Sequence, residues 1–235
     1  MNHVDKQRGF TLIELVLAMS FISVLLLAIA LTIIQVGTIY NRGMTLKEVN
    51  QTARTISDDL TRSLSSSEAF MLSSKYIALP TGGRLCLGQY SYIWNYSKSF
   101  QDSNRAQYVD SAQNAKGPIR FVKVPDASGA YCVLQTNGKY LDIQAADTTK
   151  AVELLKAGDR TLSIHQFAIT SGTNAKDPIT GQQLYNLSFT IGTGNVSALT
   201  SDQTSCLPPN DPNSDFAYCT VQQFKLVVRA GDRVN

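Results

Sequence analysis

The sequence predicts an α+β protein: a long N-terminal helix, membrane half followed by amphipathic half, packed on an antiparallel β-sheet head. Three observations carry this reading. From 15 to 41 there is no charged residue, a run long enough for a bilayer, which needs about 20 apolar residues. From 46 to 64 apolar residues recur at spacings of three and four, the period of one helix face. Beyond Ser67 the pattern changes to short stretches in which β-branched and aromatic residues alternate with polar ones, the period of strands. With 43% hydrophobic and 17% charged residues among 235, the chain can bury one good core. Because its apolar residues are unevenly spread, one domain with an appendage fits better than two domains. The expected organisation is a leader over 1–9, a transmembrane helix over 10–40, its amphipathic continuation over 41–72, and an exported β-rich head over 73–235.

The N-terminal element begins MNHVDKQRGFTLIELVLAMSFISVLLLAIALTIIQVGTIY. A secretory signal has an apolar stretch of about 7–15 residues and then a small-residue cleavage site; this run is too long, and no such site follows it. A plain signal anchor, with Lys6 and Arg8 holding the N-terminus in the cytoplasm, accounts for the run. It does not account for Glu14, a carboxylate one turn inside an apolar helix, which costs on the order of 2.5–3.5 kcal/mol at membrane depth. Cleavage between Gly9 and Phe10 would expose an α-amino group one turn away, in the same chain or a neighbour, and pairing would offset part of each group's desolvation.

The segment RGFTLIEL, residues 8–15, with its basic leader and the apolar helix after it, resembles the class III signal of type IV prepilins and type II secretion pseudopilins. The resemblance covers roughly the first quarter of the chain. It implies that Gly9 precedes the bond cut by a prepilin peptidase, that Phe10 becomes the N-methylated N-terminus, and that Glu14 is the assembly carboxylate. It further implies a structural subunit of a type IV pilus or related filament, whose partners are other pilin subunits met through the N-terminal helix. Before assembly such a chain is a single-pass membrane protein with an exported head; afterwards it belongs to a cell-surface or periplasm-spanning filament. The large head resembles those of minor pilins and J-type pseudopilins, with a minor pilin preferred. In one respect the chain departs from many major pilins: its helix has no Gly before Gly37 and no Pro before Pro80.

After the membrane run, Leu46, Val49, Ala53, Ile56, Leu60 and Leu64 form an apolar stripe, while Arg42, Lys47, Glu48, Arg54, Asp58, Asp59 and Arg62 fall mostly on the other side. The stripe is expected to pack on a sheet. Gly37 and Gly43 are plausible bend points. A helix from residue 10 to about 67 would be roughly 85 Å long at about 1.5 Å per residue. Strands are expected at 75–79, 84–94, 119–124, 130–135, 161–170, 184–191 and 221–229. Turn residues at 125–129 and at Asn137 and Gly138 favour antiparallel pairing. A surface loop is expected over 95–117 and a short helix over 151–157.

All four cysteines, Cys86, Cys132, Cys206 and Cys219, lie far beyond the apolar run, where an exported head meets an oxidising compartment. Of the three connectivities, Cys206 with Cys219 is preferred because the intervening LPPNDPNSDFAY reads as a turn-rich loop, and Cys86 with Cys132 follows. Free buried thiols are the alternative. There is no CxxC and no Cys/His cluster of zinc spacing.

Catalytic chemistry finds little footing. His3 falls in the leader, and His165 stands alone in a strand, where a solvent-facing imidazole is expected. No Gly-rich loop precedes a helix, so the reading is of no enzyme and no cofactor. The formal charge of +3, without clustering of Lys and Arg, gives no nucleic-acid partner. Asp211, Asn213 and Asp215 alternate as calcium ligands do, but the turn glycine is missing and Gln222 stands where a bidentate Glu should be; a solvated turn is expected, and no metal. Trp94 with Tyr90, Tyr92 and Tyr96 reads as sheet core or, alternatively, as an exposed ribbon for an unidentified ligand or subunit. The rival function of another class is a monomeric membrane-anchored binding protein whose helix merely tethers the head.

Overall fold

The computed structural model describes residues 11–155 and 161–231, apart from the side chains of 173–175. They divide into two compact units at Asn41 and Arg42. Helix α1, Leu12–Ser65, runs through this division without interruption, and neither Gly37 nor Gly43 breaks it. In the first unit every residue from 11 to 36 is exposed, and the helix is long and apolar enough to cross a membrane. The Ser and Thr hydroxyls along it are satisfied within the helix. The hydroxyls of Ser20, Ser23, Thr32 and Thr38 donate to the carbonyls of Leu17, Met19, Ala28 and Ile34 at 2.9, 2.8, 2.9 and 3.1 Å. Such back-bonding leaves none of these four hydroxyls to be satisfied by lipid.

The second unit is α+β, as the sequence predicts. Val49, Ala53, Ile56, Leu60 and Leu64 on α1 are fully buried, whereas Leu46, at the start of the stripe, stays 44% exposed. The helix ends where Ser67 turns back, its N–H and hydroxyl both donating to Leu64 O at 3.1 and 2.8 Å. A single turn, α2 (Leu72–Lys75), leads into β1 (Tyr76–Leu79), β2 (Gly82–Cys86) and β3 (Tyr90–Asn95). These join β6 (Phe121–Pro125) and β7 (Val152–Glu153) in an antiparallel sheet of order β1-β2-β3-β6-β7. Between β3 and β6 lie β4 (Gln107–Val109) and β5 (Ala115–Pro118), a separate pair. A second antiparallel sheet has the order β10-β9-β8, formed by β8 (Leu162–Lys176), β9 (Gln183–Thr193) and β10 (Val221–Ala230).

One core joins the α1 stripe to both sheets, through Leu85, Tyr92, Trp94 and Phe121 on the first and Ile164, Phe167, Phe189 and Ile191 on the second. Aromatic rings bridge the sheets: Trp94 lies 4.2 Å from Phe167, centroid to centroid, and Phe167 lies 6.3 Å from Phe189. The Trp94 indole leaves room for nothing larger than glycine at position 83 of β2, since a Cβ at Gly83 would come within 2.4 Å of its ring. Asp59, on the polar side of α1, pins the helix to this sheet. Its carboxylate accepts from Lys123 Nζ at 2.9 Å and from the Tyr92 hydroxyl at 2.6 Å.

Behind the first sheet, Cys86, Ile93, Val122 and Val124 form a second core covered by Ala106, Ile119, Tyr131 and Ile143. This corrects three expectations. Residues 95–117 are not a surface loop but carry β4, most of β5 and a 3-10 turn at Ser97–Ser99. Buried Asn95 holds them, its amide donating to Ala106 O and Ile119 O, both at 2.7 Å, and accepting from Ala106 N at 2.9 Å. Residues 130–135 are not a strand: Ala130–Cys132 is a 3-10 turn, because buried Asp126 accepts from the N–H groups of Ala130 and Tyr131 at 2.8 and 3.2 Å. In place of a helix over 151–157, Val152–Glu153 is β7 and the short helix, α3, comes earlier at Ala145–Thr148; residues 156 and 157 lie outside those described. The expected strand at 84–94 is a hairpin of β2 and β3, with Gly88 at φ +90° in its turn.

Candidate functional site

The sequence points first to the start of α1. Gly9 and Phe10, the expected cleavage and methylation positions, lie outside the described residues. Glu14 lies within them, and its surroundings add a role that the sequence reading missed. Thr11 N–H and Thr11 Oγ1 both donate to Glu14 Oε2, at 3.0 and 2.9 Å, and Glu14 N–H donates back to Thr11 Oγ1 at 3.3 Å. This reciprocal arrangement is a capping box, in which a Thr at the helix start and a Glu three residues on satisfy each other's free N–H groups. The signal is visible in the sequence, as Thr-x-x-Glu immediately before an apolar run. Glu14 therefore has a local partner within its own chain, and one carboxylate oxygen, Oε1, makes none of these bonds.

The exported-head expectation rests on the cysteines, and the structure joins Cys86 to Cys132 and Cys206 to Cys219. These are the pairs preferred from the sequence. The first ties β2 to the turn that Asp126 shapes; the second closes the loop between β9 and β10, where Cys219 packs with Ala198 and Leu199. A helix able to span a bilayer and a disulfide-bonded head fit a membrane-anchored exported protein.

The remaining candidates resolve into packing. His165 is not solvent-facing: it is 3% exposed, with Nδ1 2.8 Å from the Ser97 hydroxyl. Burial pushes its pKa down to about 4, against hydrogen bonds that favour the cation, so the ring is neutral at pH 7. Ser97 is itself buried, and this Ser–His contact closes the seam where Tyr96 bridges to Ile164. Asp211 and Asp215 form turns, Asp211 Oδ1 accepting from Asn213 N–H at 2.8 Å and Asp215 O from Cys219 N–H at 2.7 Å. Of the aromatic run, Tyr92 and Trp94 are fully buried, Tyr96 is half-buried against the same core and Tyr90 is exposed, so the centre of the run is sheet core.

No family model, curated protein or solved structure matches the chain. The functional reading therefore stands on the N-terminal residues and the physical character of the two units.

Proposed function

We propose that this protein is a structural subunit, a minor pilin, of a type IV pilus or related filament. The observation that carries the proposal is the sequence RGFTLIEL running directly into a helix whose apolar residues are exposed on every side. Such a helix has to be covered by lipid or by other helices, and the cleavage signal selects the second fate as well as the first. A prepilin peptidase cuts after Gly9 on the cytoplasmic side, and Phe10 becomes the methylated N-terminus. The helix waits in the membrane with the head exported. Assembly then exchanges lipid contacts for contacts with neighbouring helices. Since lipid tails are as apolar as leucine, that exchange gains little from the hydrophobic effect, and register falls to close packing and to Glu14 paired with an α-amino group.

Two measurements test this. Mass spectrometry of the native protein should find an N-terminus at methylated Phe10; intact Met1 in membrane fractions would identify a plain tether. Labels on the head should mark filaments sparsely or at one end, whereas continuous labelling would make this the major subunit. Exclusive recovery from a periplasm-spanning secretion complex would place the chain among the pseudopilins.

A further inference from the structure

The head carries a cavity of about 320 Å³ lined by residues of β2 and β3, by the segment 102–107 between β3 and β6, and by residues 138–142 beyond β6. Three cations and two acids line it. Arg84, in the middle of β2, lines it and is only 3% exposed. Its Nη1 donates to Tyr131 O and Leu141 O at 3.0 and 2.6 Å, and the Tyr140 ring centroid lies 5.4 Å from its Cζ. Its Nε is buried and has no acceptor. Arg105 lines the same cavity; Nη1 donates to Asp102 O at 3.0 Å, and Nε is again buried without an acceptor. Lys139 is a third cation on the wall.

Among the described residues no carboxylate lies within 4.0 Å of either guanidinium; the ion pairs are Lys116 with Asp110 and Lys123 with Asp59. Two acids do share the cavity wall. Asp142 accepts from Gln107 N–H at 3.1 Å, and Asp102 accepts from Asn104 N–H at 2.7 Å. Burial pulls the Arg84 pKa down to about 10, so it is charged at neutral pH. Arg84 hydrogen-bonds only to main-chain carbonyls, with the Asp142 charge compensating part of its own through space, and Arg105 on the same wall also has an unmet donor; an incoming anion completes such an arrangement.

The geometry points to a binding site for an acidic monosaccharide residue, its carboxylate held by Arg84 and Arg105 and its pyranose ring beside Tyr140. A planar guanidinium matches a carboxylate better than a point charge does. A dianion such as phosphate would face Asp142 and Asp102 as well as the cations, whereas a single negative charge balances the wall. The side-chain amides of Asn104 and Gln107, also on the wall, supply partners for hydroxyls, and the volume lies at the small end of the range for ligand sites. This site lies wholly within the head and does not depend on how the chain is anchored or assembled.

The test is calorimetric titration of the full chain in detergent with D-glucuronate, D-glucose and a short N-acetylated peptide bearing a free C-terminus. D-glucuronate is expected to bind saturably, at least tenfold tighter than D-glucose and the peptide. Arg105→Gln, on a half-exposed side chain, is expected to weaken D-glucuronate at least tenfold with an unchanged melting temperature. Arg84→Lys keeps the charge but not the fork, and is expected to weaken it similarly. Should Arg84→Lys unfold, Arg105→Gln decides. Equal binding of glucose and glucuronate, tighter binding of the peptide, or no binding of glucuronate below about 10 mM would overturn the assignment, as would an Arg105→Gln protein that binds like wild type.

Discussion

Glu14 is held from both sides by Thr11, so its substitution changes two things: the cap of α1 and the charge at the head of an apolar helix. Glutamine separates them, because it serves in a capping box as glutamate does but carries no charge. If assembly uses the carboxylate as an ion partner, Glu14→Gln should be excluded from filaments as fully as Glu14→Ala, measured as the fraction of each variant in sheared filaments. If only the cap matters, Glu14→Gln should assemble like wild type, and the electrostatic role would be lost. His165 offers a second test at this scale. Its folded pKa is about 4 against about 6.5 when unfolded, so between these values the unfolded chain binds the extra proton. Stability from this group is complete above pH 6.5 and is lost as pH falls towards 4. Denaturant midpoints of the head should show a loss on the order of 3 kcal/mol across that window, and His165→Gln should flatten this component of the profile whatever its baseline.

At the scale of elements, the contact between α1 and the five-stranded sheet combines an apolar stripe with one polar staple. The Tyr92 hydroxyl donates to Asp59 at 2.6 Å and lies 2.6 Å from Ser63 Oγ, and Lys123 Nζ reaches both residues. Tyr92→Phe removes one oxygen and leaves a charged acceptor short of a donor. It should cost about 2 kcal/mol, seen as a fall of roughly 4–8 °C in the melting temperature of the head. Gly83→Ala should cost about 1–3 kcal/mol for a different reason, the overlap with Trp94. These elements also mark what was legible in the sequence. The stripe on α1 and strands β8 to β10 follow periodicities that the residues display directly. The excursions between β3 and β6 and between β6 and β7 do not, because single buried side chains set them. The Asn95 side chain makes three hydrogen bonds to the main chain at Ala106 and Ile119, Asp126 turns 130–132 into a 3-10 turn, and Arg84 fastens the chain at Tyr131 and Leu141. Read along the chain, each is one polar residue among many. His165 failed for the same reason, since its partner Ser97 is 68 positions away.

At the scale of the molecule, the two units place opposite demands on their surroundings. Residues 11–36 bury nothing within their own unit, whereas α1 from 42 onward belongs to the unit that contains both sheets. The boundary that matters for folding thus falls inside a continuous helix, not at its end. Val49, Ala53, Ile56, Leu60 and Leu64 are each fully buried, and losing one large residue of this kind costs about 2–5 kcal/mol. Losing the four large ones together, on the order of 8–20 kcal/mol, matches the whole of the roughly 5–15 kcal/mol by which a domain is stable. A chain beginning at residue 42 should therefore fold as a soluble protein with both disulfides formed, giving a cooperative melt and protected amides in β8 and β9. One beginning at residue 73, where the head was expected to start, should aggregate or melt without cooperativity. The full-length chain should partition into membranes or detergent micelles. Equal folding of the two truncated chains would mean that the α1 stripe is dispensable to the head.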